Sequence, residues 1–192
     1  MSESFGKSII TKLQAKGADK SSAWLIKSTV HEINIDKNEL SMFRTIVNSR
    51  LSMKIIKDNK IATTGINDLA DKTVNDAIDS MFESMEASLP DNAHDIAPAD
   101  GKVYDFAHNP NNPTQEQMVV KVNNLLRQIQ SDYPKIIVGE SNLAFHHEEQ
   151  TIYNSNGLEN SAENNYFLLV LGITAKDGKK TSSCNYCFKG IS

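Results

Sequence analysis

The run Phe145-His146-His147-Glu148-Glu149 contains the side chains with the clearest chemical potential. Imidazoles and carboxylates hold metal ions and transfer protons in proteins. The spacing does not suit a zinc-binding helix, which needs two histidines one turn apart with a glutamate between them. Adjacent residues of a strand face opposite sides, so His146 and His147 are expected to point apart. We interpret the run as a polar, exposed strand segment, with a metal or acid–base role as the alternative.

A second candidate is the C-x-x-C motif Cys184-Asn185-Tyr186-Cys187. A zinc ribbon needs a second cysteine pair, and the chain has only these two cysteines. A thioredoxin-type site needs a helix next to the motif to lower the thiol pKa, whereas this motif lies in a predicted strand. We therefore expect Cys184 and Cys187 to be ordinary strand residues, with a redox or metal role as the alternative.

The remaining histidines occur singly. His31 stands beside Glu32, and His94 and His108 lie in a proline-containing stretch. No G-x-S-x-G elbow and no glycine-rich phosphate loop is present. The sequence therefore assigns no catalytic residue, no cofactor-binding residue and no metal ligand.

Composition narrows the class of protein. The chain has 192 residues, of which 39% are hydrophobic and 23% charged, which is typical of a globular protein with a core. A net charge of −4 weighs against nucleic acid as the main partner. No apolar run is long enough to cross a membrane, the first residues lack a signal peptide, and two cysteines make no disulfide framework. The cytoplasm is the expected compartment.

Three regions follow from the hydrophobic pattern. Residues 1–88 are predicted as a first domain of helix, strand meander and helix. Residues 89–113 are rich in Pro, Asp, Asn and Ala and are predicted as a linker. Residues 114–192 are predicted as the start of a second domain of helix and antiparallel strands. The expected fold class is α+β, with two α/β blocks, largely antiparallel strands and packed amphipathic helices.

Apolar stripes predict helices over 3–16, 69–87 and 115–131. Gly17 is expected to end the first helix, and Asp68 or Asp71 to cap the second. The third has the spacing of a capping box, with Thr114 as the cap and Gln117 three residues later.

Alternation predicts the strands. Residues 21–66 are expected to form three or four strands, with a turn at 57–60. Further strands are predicted at 134–147, 149–154, 158–163, 166–175 and 180–188, and Asp177-Gly178 is a hairpin signal between the last two. The apolar run at 166–173 has no polar face, so other elements are expected to cover it on both sides.

Three segments resemble the TldD/PmbA family, once described as modulators of DNA gyrase. The first is Leu51 to Ala62, followed by Asn67-Asp68-Leu69 and a helix, similar to the family's strand, K-D-G-K turn, strand, N-D-L and helix. The second is a proline-containing linker before an amphipathic helix and a strand near Ile136. The third is Asn154-Ser155-Asn156-Gly157-Leu158-Glu159 with its long hairpin. The resemblance covers residues 5–188.

That resemblance implies a cytoplasmic zinc metallopeptidase system that acts on unfolded peptides. In the family two histidines of a His-Glu-x-x-x-His helix hold the zinc, and that helix follows the region matched here. This chain has no such motif, so zinc is expected only in catalytic members, and whether the chain belongs to an enzyme stays open. PmbA-type members also lack the motif and act as partners of TldD-type members.

The resemblance therefore implies the N-terminal, non-catalytic part of such a protein, present as a fragment. The implied partners are unfolded peptides and a family member in a homo- or heterodimer. The alternative is a stand-alone protein-interaction module without enzymatic activity.

Overall fold

The computed structural model describes residues 2–99, 105–107 and 112–191. Within them the elements follow in the order α1 (Ser2–Ala15), β1 (Lys20–Asp36), β2 (Glu39–Lys57), β3 (Lys60–Ile66), α2 (Asp71–Met85), β4 (Asp105–Ala107), α3 (Gln115–Asp132), β5 (Ile136–Val138), β6 (Ser141–Asn154), β7 (Glu159–Asp177), β8 (Lys180–Thr181) and β9 (Asn185–Ile191). The chain is a mixed α+β fold, and the predicted class is confirmed.

The described strands are hydrogen-bonded in the order β3-β2-β1-β6-β7-β4, and β5, β8 and β9 each pair with β7. β2 runs antiparallel to β3, and β5, β8 and β9 run antiparallel to β7. β4 pairs with β7 in the parallel sense. Two-residue turns with positive φ connect the first strands, at Lys37-Asn38 and at Asp58-Asn59. Such turns match the twist of antiparallel neighbours.

The first compact unit comprises Met1–Lys27, Asn48–Ala107 and Glu149–Glu163. Its core lies between two helices and one face of the strands. Ile9 and Leu13 of α1 and Val74 of α2 have no exposed surface, and they pack with Leu51 and Ile55 of β2. Burying each of these aliphatic side chains stabilises the fold by about 1.5–3 kcal/mol.

The second compact unit comprises Ser28–Val47, His108–Glu148 and Asn164–Ser192. Here α3 covers one face of the strands through Met118, Val122 and Leu126. These side chains pack on buried strand residues that include Ile33 and Phe145. Phe167, Leu171 and Ile173, on one face of the apolar run in β7, pack against the same cluster.

All three predicted helices are present. Gly17, with φ of 100°, follows α1 as expected. The capping box of α3 is confirmed. The Gln117 amide donates to Thr114 Oγ1 at 3.2 Å, and the Thr114 amide donates to Gln117 Oε1 at 2.9 Å.

The cap predicted for α2 is wrong. Ala70 occupies the N-cap position and makes no side-chain cap hydrogen bond. Asp68 lies two residues earlier, where its carboxylate accepts from the Ala70 amide at 3.0 Å and from Thr73 Oγ1 at 2.6 Å. The hydrogen bond from Thr73, and to a smaller extent that from the Ala70 amide, holds the pKa of Asp68 below its ordinary value.

Residues 21–66 form three strands, within the predicted three or four, and the shorter predicted pieces merge into β1 and β2. Similarly, 158–163 and 166–175 are one strand, β7. The predicted break falls at Asn164-Asn165, but the buried Asn165 side chain bonds His147 and Asn112, so this polar residue is satisfied inside a continuous strand.

The hairpin at the end of β7 also differs in detail. Asp177 pairs with Lys180, so the two central residues are Gly178 and Lys179. Of these only Gly178 has positive φ, at 60°. That pattern belongs to turns with glycine in the first central position, rather than to the Asp-Gly turn that the sequence predicted.

Residues 89–99, predicted as part of the linker, belong to the first unit and hydrogen-bond to other parts of it. The Asp91 amide donates to the Asn59 carbonyl at 2.8 Å, and Lys20 donates to Asp95 at 2.7 Å. Ile96 is buried. Each compact unit draws on three segments of the chain, whereas the predicted domains 1–88 and 114–192 are continuous. The continuous division into 1–88, 89–113 and 114–192 stays a prediction.

Candidate functional site

An open groove of about 500 Å³ lies in the first unit, on the sheet face that points away from α1 and α2. On β2, Met53 and Ile55 are buried under the helices. Because side chains alternate along a strand, Arg50, Ser52 and Lys54 project from the opposite face and line the groove.

The floor of the groove continues onto β3. Lys54 pairs with Thr63, and Ser52 pairs with Gly65. Arg50 leans over Gly65, since its Nη2 and Nε atoms lie 3.4 and 3.5 Å from the position that a Cβ atom on Gly65 would take. These distances are ordinary van der Waals contacts, so the guanidinium group lies directly over Gly65.

The groove is basic and partly apolar. Arg50 and Lys54 are its only charged lining residues, and neither makes an ion pair with any residue in the described ranges. Trp24 of β1, the single tryptophan of the chain, lines the groove and is 43% exposed. Ile152 of β6 adds an aliphatic side chain. Two uncompensated cations beside an exposed indole suit a ligand with negative and apolar groups.

One edge of the groove is a strand edge, because β3 ends the sheet path. The start of this edge is covered, since the Ile61 amide donates to Ser88 Oγ at 3.4 Å. In an antiparallel pair, alternate residues direct their backbone groups away from the partner strand. Thr63 and Gly65 follow Ile61 in this alternation, and no described residue hydrogen-bonds to their outward amides or carbonyls. A further strand could pair there.

The Asn154–Glu159 segment, which carried much of the family resemblance, has a structural role. The buried Asn154 side chain accepts from the amides of Asn156 and Leu158, each at 3.0 Å. Its Nδ2 atom donates to the Ala97 carbonyl at 2.7 Å. Asn154 therefore closes the turn between β6 and β7 and attaches residues 95–97 to it.

The His146-His147-Glu148-Glu149 run lies in β6, and its two imidazoles make different contacts. The His146 ring stacks on Tyr166, with centroids 4.5 Å apart and planes within 4°. His147 Nδ1 is 2.7 Å from Asn165 Oδ1. Burial lowers the pKa of His146 below its ordinary value, and the carboxylates of Glu148 and Glu32 partly oppose that shift. His146 and His147 therefore contact different residues, as the alternation of a strand predicts.

The two cysteines are exposed and unbonded to each other. Cys184 precedes β9, and Cys187 lies within it. The predicted strand over 180–188 is interrupted there, because β8 ends at Thr181 and β9 begins at Asn185. A hydrogen bond with Cys184 raises the pKa of the Tyr186 hydroxyl.

The single histidines have separate surroundings. His31 Nδ1 lies 2.9 Å from Thr45 Oγ1, and Glu32 binds Arg44 through both carboxylate oxygens. His94 Nδ1 lies 2.8 Å from the Asn59 carbonyl. His108 falls outside the described residues.

Across the described ranges, no three His, Cys, Asp or Glu side chains are placed to share a metal ion. The helices described here also include none with the length and apolar content of a membrane crossing.

The fold has clear relatives among solved structures. TldE from Thermococcus kodakarensis superimposes on 97% of this chain with a TM-score of 0.79 and 19% identity. Two candidate modulators of DNA gyrase are also similar. The protein from Thermotoga maritima matches 99% of the chain with a TM-score of 0.63 and 11% identity. The protein from Bacteroides thetaiotaomicron matches 98% with a TM-score of 0.64 and 14% identity.

This chain spans 42–44% of the length of those three proteins. No protein-family model matches the sequence, and no match is found among curated proteins. The resemblance suggested by the three sequence motifs is confirmed at the level of the fold. The chain has a TldD/PmbA-like fold, as predicted for the N-terminal region of that family.

The groove was not predicted from the sequence. The pattern that could have indicated it is the alternation Arg50-Ser52-Lys54 opposite Thr63 and Gly65, which places small and cationic side chains on one face of the sheet. That signal becomes specific only when the register of β2 and β3 and the position of β3 at the edge are known.

Proposed function

We propose that this chain is the N-terminal, non-catalytic part of a TldD/PmbA-like metallopeptidase that degrades unfolded peptides in the cytoplasm. Its role is to form part of the substrate chamber and to help assemble a dimer with a like or related chain. The observation that carries the proposal is the similarity to TldE over 97% of this chain, at a TM-score of 0.79. Nucleic acid has no part in the proposed role.

The open edge of β3 supports a task in holding peptides. An extended peptide can add as a further strand at Thr63 and Gly65, where main-chain hydrogen bonds give affinity without requiring a particular sequence. The adjoining groove leaves space for the peptide side chains on one face. Unfolded substrates present such extended backbone, whereas folded proteins do not.

Backbone recognition can be tested on the ligand. A fluorescent eight-residue peptide of β-prone residues is titrated with the chain. The matched controls are the same peptide N-methylated at every second residue, which keeps the amide donors of one edge, and the same peptide N-methylated at every residue, which keeps none. Because strand pairing needs the donors of one edge only, we expect alternate methylation to preserve binding and full methylation to abolish it. Binding of the fully methylated peptide would contradict the strand-edge mode.

Catalysis is proposed to reside outside this chain. The 192 residues contain no His-Glu-x-x-x-His motif. We expect the chain, purified without a histidine tag, to bind peptides without cleaving them and to carry no stoichiometric zinc by elemental analysis. Cleavage of an unfolded peptide by the chain alone, sensitive to a chelator, would refute the non-catalytic role.

The second candidate function is a stand-alone protein-interaction module. It is favoured by Tyr186 and Phe188 of β9, which are 52% and 71% exposed. Their rings lie 6.4 Å apart, and apolar rings beside a strand edge promote association. We expect sedimentation to show dimers or larger species and a Tyr186→Ser/Phe188→Ser variant to shift them toward monomer. A monomer at high concentration would argue against both dimer assembly and this alternative.

A further inference from the structure

The geometry points to acidic peptides as the preferred ligands of the β3 edge, with Asp or Glu at two positions separated by one residue. This inference rests on the proposed peptide-holding function and adds a substrate class to it. It depends on the positions of Arg50 and Lys54 relative to the two outward-directed residues of β3.

The two cations stand above two neighbouring pairing positions of the edge. Lys54 is the β2 partner of Thr63. Arg50 lies further along β2, but its guanidinium leans back over Gly65, at 3.4 Å from the position of a Cβ atom there. Lys54 is therefore paired with residue 63, and the Arg50 guanidinium lies over residue 65, two positions further along the same strand.

A peptide strand paired with β3 would match this spacing. Its residues opposite Thr63 and Gly65 would also be two positions apart, at a separation of roughly 6.6 Å, with side chains on the same face. On the groove face these side chains meet the Lys54 ammonium and the Arg50 guanidinium. Two carboxylates at positions i and i+2 would neutralise both cations, and the residue between them would face the other side of the sheet.

The charge balance of the groove favours this choice. No acidic side chain lines it, and neither cation is paired within the described part of the chain. The net charge of the whole chain is −4, so the two unpaired cations in the groove do not simply reflect an excess of basic residues. A lysine at either peptide position would add like-charge repulsion, so the same two residues select against basic peptides.

Three capped peptides that differ only at two positions provide the test. Their sequences are Thr-Glu-Val-Glu-Val-Thr, Thr-Gln-Val-Gln-Val-Thr and Thr-Lys-Val-Lys-Val-Thr, and none contains tryptophan. Binding is followed by the fluorescence of Trp24, which lines the groove. Exposed ion pairs are individually weak, so we expect the Glu peptide to bind roughly 3- to 30-fold more tightly than the Gln peptide. The Lys peptide should bind more weakly than the Gln peptide, and high salt should reduce the differences.

Variants locate the effect. Arg50→Gln/Lys54→Gln should remove the preference for Glu over Gln, so that the variant binds the two peptides with equal affinity. Lys72→Gln on α2, which lies outside the groove, is the matched control and should retain the preference. All variants are compared by circular dichroism, and the substituted side chains lie outside both cores.

The outcomes separate this inference from the proposed function. If the Glu and Gln peptides bind equally well and N-methylation of every residue abolishes both, the acidic preference is overturned while the strand-edge function stands. If no peptide binds, both are overturned. If the Glu preference persists in Arg50→Gln/Lys54→Gln, recognition occurs elsewhere and the inference is wrong.

Discussion

Replacing Gly172 with alanine provides a stringent test of the packing in the second unit. Gly172 lies in β7, where its carbonyl accepts from the Gly139 amide at 2.8 Å and its amide donates to Ser141 Oγ at 2.9 Å. A Cβ atom on Gly172 would lie 2.6 Å from the Glu140 carbonyl oxygen and 2.9 Å from Tyr186 Cε1. The backbone oxygen cannot rotate away, so the segment before β6 has to move.

Two opposing effects determine how much stability Gly172→Ala loses. Gly→Ala stabilises a compatible site by about 0.4–1 kcal/mol, because it restricts the unfolded chain. Overpacking a well-filled site costs about 1–3 kcal/mol. Since the clash involves backbone, we expect overpacking to win and the free energy of unfolding to fall by about 1–2 kcal/mol. For a chain of this size, that corresponds to a lower Tm by roughly 2–8 °C.

Gly190→Ala is the matched control. Gly190 also lies in a strand of the second unit, pairs with Leu168 of β7, and has no atom within 4 Å of an added Cβ. Urea unfolding followed by far-ultraviolet circular dichroism should show a lower free energy of unfolding for Gly172→Ala and no decrease for Gly190→Ala. Adding Tyr186→Ser to Gly172→Ala should restore only part of the stability, because the Glu140 oxygen remains. Equal stability of the two alanine variants would refute the close approach at Gly172.

Three further predictions concern α3 and β6. Met118→Ala should lower the free energy of unfolding, measured in urea, by about 2–5 kcal/mol, because Met118 is 1% exposed and lies in the core. Its control is Val120→Ala, at a 56% exposed position, which should change that free energy by less than about 0.5 kcal/mol. Thr114→Ala should cost about 1 kcal/mol by loss of the α3 capping box, and Thr114→Ser should retain most of it; equal losses would contradict the cap. For His146, burial depresses the folded-state pKa, so the unfolded chain binds more protons. The free energy of unfolding should therefore fall as the pH drops from about 6.5 through that lowered pKa. His146→Gln should lack this part of the pH dependence. Identical pH dependence of stability in the wild-type protein and in His146→Gln would exclude a contribution from His146.

Much of the helical structure could be predicted from the sequence, because it depends on contacts between residues close in the chain. The stripe in α1 and the Thr114–Gln117 capping box are local patterns, and both are found as predicted. The turn at Asp58-Asn59 follows from local backbone preferences in the same way. The family resemblance, based on short motifs in order, was sufficient to predict the fold that the TldE superposition shows.

Strand lengths and the groove were decided by contacts between residues distant in the chain. Alternation could not show that β7 continues through Asn165, because the hydrogen bonds that satisfy that amide come from His147 and Asn112. Nor could it show that Arg50 leans over Gly65, since that requires the register of two strands. The sequence by itself determined which faces of the helices and strands are apolar. Tertiary structure alone decided which strand is left at an edge, because edge position depends on the order in which strands pair.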